Sequence, residues 1–142
     1  MDPLSISASI IAVLQVSGSL ISTCYEYRRL LRNKSHDVQL LIQQLSALRT
    51  VLENLLEIVD VDQLRDKPRL RAIASLTSPN GILENCQNSL EGLETKLKPK
   101  KGWRATRDKI LWPLGEKEVR AQEQEIQRMV ADLKFAMAVD QT

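Results

Sequence analysis

The strongest constraint on the fold is a run of apolar residues in the first half of the chain. Val38, Leu41, Ile42, Leu45, Leu48, Leu52, Leu55, Leu56 and Val59 follow a three-then-four spacing without a break. That spacing gathers them on one side of an α-helix. Leu40, Ala47, Val51 and Ile58 add a second apolar flank. So wide a stripe implies contact with more than one neighbour, which predicts a central helix over residues 37–60 within a helical assembly. Ser35 or Asp37 is available to cap its start.

Residues 3–25 carry no charge at all. A signal peptide would begin with a basic region, but here the leader holds Asp2. Serines at 5, 7, 9, 17, 19 and 22, with Gln15 and Thr23, dilute the apolar run below that of a standard membrane span. At helical period Ile6, Ile10, Val13, Leu14, Leu20, Ile21 and Cys24 share a face, and most of the serines fall elsewhere. A helix over residues 4–32 is therefore predicted, with an irregularity at Gly18.

The rest of the chain is punctuated by proline and glycine. Helical segments are predicted at 68–76 and 79–98, with Ser78 as N-cap and Pro79 in the first turn, and then at 103–111 and 116–139. Leu83, Cys86, Leu90, Leu93 and Leu97 form one narrow stripe, and Val119, Ile126, Met129, Val130, Leu133, Ala136 and Met137 form another. The chain of 142 residues is 4% aromatic and poor in turn residues, which argues against a sandwich or barrel. The predicted class is all-α: a single domain over 1–142, a helical bundle of four long helices plus one or two short ones.

Charge is balanced overall, with 20 Lys and Arg against 18 Asp and Glu, so no global basicity points to nucleic acid and none is expected as a partner. Locally it is uneven. Between positions 96 and 109 the chain reads KLKPKKGWRATRDK, seven basic residues and one acid, whereas Glu53, Glu57, Asp60 and Asp62 form an acidic stretch. Cys24 and Cys86 lie inside apolar helical patterns, as small buried hydrophobes in a reducing compartment would. His36, the single histidine, sits at a helix start, and the five glycines are isolated, so no phosphate loop can form. No metal spacing or nucleophile motif is present, so neither catalysis, metal nor cofactor is expected.

Three stretches together resemble a known family. The opening MDPLSISASIIAVLQVSGSL, the following YEYRRLLRN and the late KILWPLGEKEVRAQEQEIQRMVADLKFAMAVD look like the HeLo-like N-terminal domains of fungal STAND (NLR-like) proteins. The approach to the last helix, W-P-L-x-x-x-E-V, falls on Trp112, Pro113, Leu114, Glu118 and Val119. The resemblance covers nearly the whole chain, although the middle helices agree only in pattern. It implies a bundle related to the HeLo domain and, more distantly, to the necroptosis executioners. It also implies a role as effector of programmed cell death and heterokaryon incompatibility, acting at membranes once a receptor oligomerises.

The residues give that implication a physical route. Leu4, Ile6, Ile10, Ile11, Val13, Leu14, Leu20 and Ile21 are the candidates for membrane insertion, on a helix whose small residues permit close packing between copies. Lys98, Lys100, Lys101, Trp103, Arg104, Arg107 and Lys109 are the candidates for anionic lipid, worth about 1 kcal/mol per basic residue near such a surface. Trp112 and Pro113 are read as the structural anchor of the final helix. The expected partners are further copies of the chain, anionic lipids, and a receptor or adaptor protein. The expected location is cytoplasmic, peripheral to the plasma membrane on activation. The alternative is a soluble adaptor bundle without membrane activity.

Overall fold

The computed structural model describes residues 3–31, 35–63, 74–77, 81–98 and 112–141. Among them are α1 (Pro3–Leu30), α2 (Ser35–Gln63), a short 3-10 turn (Ala74–Thr77), α3 (Ile82–Leu97) and α4 (Glu116–Gln141), with no strand. This is an all-helical bundle. The predicted segment at 68–76 lies largely, and that at 103–111 wholly, outside the described residues.

Three contacts set the helix directions. The Ser7 hydroxyl meets Asp60 Oδ1 at 3.3 Å, which brings the start of α1 to the end of α2. The Tyr27 hydroxyl donates to the Leu97 carbonyl at 2.8 Å, joining the ends of α1 and α3. Lys96 Nζ lies 3.7 Å from Glu118 Oε2, joining the end of α3 to the start of α4. The helices therefore run up, down, up, down. α2 packs most extensively against α1 and then α4, α1 also packs on α3, and the α3–α4 seam is slight.

The core is continuous through all four helices. α2 contributes the long stripe, with Val38, Leu41, Ile42, Leu45, Leu48, Val51, Leu52, Leu55 and Val59 buried. Leu56 is half-buried. Ala47 departs from the expected flank and is exposed. α3 buries Leu83, Cys86, Leu90, Leu93 and Leu97, and α4 buries Val119, Ile126, Met129, Leu133 and Ala136.

Two local expectations are corrected. α1 is unbroken through Gly18, where a methyl group would meet nothing within 4 Å, so the glycine marks neither a kink nor a tight contact. α3 begins at Ile82 rather than 79, with Gly81 in extended geometry as N-cap. Gly81 has no side chain to cap with, and its carbonyl accepts the first helical bond from the Asn85 amide at 3.0 Å.

Candidate functional site

α1 has two faces of different kinds. Its inner face buries Ile6, Ile10, Val13, Ser17, Leu20, Cys24 and Tyr27. Leu14 and Ile21 are half-buried at the margins, and Leu4 belongs to the helix with its side chain outside the described residues. Of the insertion candidates, Ile11 alone is presented to solvent among the described side chains, at 42% exposure. It belongs to an outward strip with Ala8, Gln15, Ser19, Ser22 and Tyr25, which carries no formal charge.

Against the expectation that its serines keep it below a membrane span, Ile6–Leu30 is long and apolar enough to cross a membrane by length and composition. Its 25 residues would reach about 38 Å at helical rise, beyond a hydrocarbon core of about 30 Å. Only 33% of its apolar window is buried in the bundle.

Sequence reasoning missed two members of the inner face. Ser17 is fully buried and donates its hydroxyl to the Leu14 carbonyl at 2.9 Å, so its polarity is satisfied within its own helix and its small size suits the packed face. Tyr27 extends the stripe three residues past Cys24, a spacing that was available in the sequence. Its ring meets Trp112 edge to face, with centroids 5.1 Å apart at 83°. Trp112 is buried and Pro113 is exposed, just ahead of α4. The Trp112 indole Nε1 is enclosed and has no hydrogen-bond acceptor among the described residues.

Of the anionic-lipid candidates, Lys98 is exposed directly after α3. Lys100, Lys101, Trp103, Arg104, Arg107 and Lys109 lie outside the described residues. The end of the bundle that carries Lys98 also exposes Arg28, Arg29, Lys96 and Lys117, interspersed with Glu116 and Glu118. At the opposite end Glu53, Glu57 and Asp60 are exposed and Asp62 is buried.

The buried thiols are poor nucleophiles. Burial pushes both Cys24 and Cys86 up to about 12, and the carboxylates of Asp132 and Glu125 on α4 add to the shift at Cys86. No group of His, Cys, Asp or Glu among the described residues is arranged to hold a metal ion.

Fold and surface together define an all-helical bundle whose first helix is at once a core element and a long uncharged outer surface. Residues 1–111 match the family described as Pigment biosynthesis cluster protein PigL N-terminal, a fungal N-terminal domain family, and the chain belongs to that family. The match spans α1 to α3 and ends ahead of α4. No curated protein and no solved structure matches the chain.

Proposed function

We propose that the chain is a signalling and cell-death effector domain of the HeLo-like kind, acting in a fungal innate-immunity or heterokaryon-incompatibility system together with a STAND receptor. In this reading it has no catalytic activity. It rests in the cytoplasm as a soluble bundle, self-associates on activation, and engages the inner face of the plasma membrane through α1. Lys98 and the basic residues from Lys100 to Lys109 supply the attraction to anionic headgroups. The observation that carries the reading is that α1, apolar enough to span a bilayer, has only a third of its apolar window buried.

Leakage from anionic vesicles tests this. Deleting α1 outright would remove Ile6, Ile10, Val13 and Leu20 from the core and unfold the bundle, so the informative variants lie on its outer face. Ile11→Glu and Ser19→Glu should leave helicity intact and reduce leakage severalfold. Release of α1 would also uncover Cys24, so vesicles should accelerate its labelling by a maleimide. Unchanged leakage in both variants would sink the proposal. The second reading, a soluble adaptor, is favoured by the full integration of α1's inner face into the core. It predicts that the protein stays in the supernatant when anionic vesicles are sedimented at physiological salt.

A further inference from the structure

Phe135 on α4 is 72% exposed, more than any other large hydrophobic side chain described. It follows the buried Leu133 by two residues, about 200° around the helix axis, so it points directly away from its own bundle. Arg128, Ala131 and Ala138 share that outward face, with Lys134 and Asp132 on its flanks. Arg128 is paired with Glu125 at 2.8 Å, while Lys134 makes no ion pair among the described residues.

On α2 a shallow, open groove of about 320 Å³, lined among the described residues by this helix alone, has the opposite character. Leu56 and Val61 give it an apolar floor, and Glu53, Glu57 and Asp60 flank it. Glu53 is held by Arg49 and Asp60 by Ser7. Glu57 makes no ion pair among the described residues, and Val61 is 51% exposed.

We propose that the Phe135 face of α4 docks into the α2 groove of a second copy of this chain, with Arg128 and Lys134 facing Glu57. Helix-in-groove docking uses apolar anchors spaced one turn apart on one face, as Ala131, Phe135 and Ala138 are. Acid against base fixes which surface meets which. Because knob and groove are different surfaces, the contact is heterologous: every bound copy keeps one surface open, and association either closes into a ring or continues. The contact needs neither a membrane nor α1, so it stands or falls separately from the membrane reading.

Solution mass without lipid, by sedimentation equilibrium from micromolar to millimolar protein, tests it. The wild-type mass should rise above 16.1 kDa with concentration, and less so at high salt. Phe135→Glu and Glu57→Lys, both at exposed positions, should keep native circular dichroism and weaken association at least tenfold. Mixed together they should form a 1:1 complex and stop there, because one variant retains the groove and the other the knob. A wild type that is monomeric throughout overturns the proposal, as does a mixture that stays monomeric. Association that survives Phe135→Glu but is lost in Ile11→Glu also overturns it and assigns the contact to α1.

Discussion

Tyr27→Phe isolates one hydrogen bond that ties the end of α1 to the end of α3. The phenolic hydroxyl donates at 2.8 Å to the carbonyl of Leu97, the last residue of α3, and both partners are buried. That carbonyl is among the last four of its helix, which have no partner along their own axis. Removing the hydroxyl therefore forfeits a bond of about 1 kcal/mol and strands an acceptor away from water, for a total of about 1–2 kcal/mol. The phenyl ring remains, so the edge contact with Trp112 at 5.1 Å survives. Trp112→Phe is the complementary change. It sacrifices ring area but also eliminates the enclosed Nε1–H, which finds no acceptor among the described residues, a desolvation penalty of about 1–3 kcal/mol. The less drastic substitution, which deletes a single oxygen, is thus expected to be the more damaging of the two. In urea, with a slope of about 2 kcal/mol/M, Tyr27→Phe should lower the unfolding midpoint by about 0.5–1 M. Trp112→Phe should lower it by less, and because the two rings touch, the double variant should depart from additivity by about 0.5 kcal/mol or more. A Tyr27→Phe midpoint within 0.1 M of wild type would refute the reasoning.

Stability should also fall steeply in alkali. The Cys24 and Cys86 thiols titrate near 9 when unfolded and are raised to about 12 by burial, so the folded chain retains protons that the unfolded chain gives up. The stabilisation is complete below pH 9 and is lost as pH rises toward 12, at about 1 kcal/mol per thiol by pH 10, and Tyr27, raised by burial and by Cys24, adds to it above pH 10. Replacing both cysteines by alanine should flatten the slope between pH 9 and 10.5, read from urea midpoints. Gly18→Ala and Gly92→Ala lie inside helices with free space around the new methyl, so each should raise stability by about 0.5–1 kcal/mol in thermal melts. Leu45→Ala, at the fully buried centre of α2, should cost about 2–5 kcal/mol, whereas breaking the exposed Arg49–Glu53 pair should change stability by no more than about 0.5 kcal/mol in the same unfolding assay.

Helical period carried most of the fold. The α2 and α3 stripes are buried almost residue for residue as spaced, because a strongly periodic apolar face has one low-energy way to leave water. What period cannot show is which flank finds a neighbour. Ala47 was assigned to a second flank and is exposed, while Ser17, set aside as polar, is fully buried because its hydroxyl is satisfied by Leu14 of its own helix. Ser78 and Pro79, which read as a cap and first turn, lie outside the described residues, and Gly81 begins α3 through backbone geometry alone, which leaves no signature in side-chain chemistry. The groove on α2 was visible only as an acidic stretch, and the knob at Phe135 not at all. Each depends on the tertiary position of a helix face rather than on its composition.

For α1 the fold explains one half of the sequence and leaves the other. A helix in a soluble bundle needs an apolar stripe on the side that meets its neighbours, and Ile6, Ile10, Val13, Leu20 and Cys24 fulfil that need. The outer faces of the other long helices show what the same bundle places in water: Glu53 and Glu57 on α2, and Lys117, Arg120 and Arg128 on α4. Scattered exposed apolar residues are ordinary and would require no explanation. An outward strip from Ala8 through Ile11, Gln15 and Ser19 to Ser22, over about four turns without one charge, is a different matter. Packing does not demand it, since nothing described in the bundle covers it, and solubility would be better served by lysine or glutamate at any of these positions. The neutrality of that face is therefore the part of the sequence that folding leaves unexplained, and it is there that charge substitutions separate a membrane effector from an adaptor.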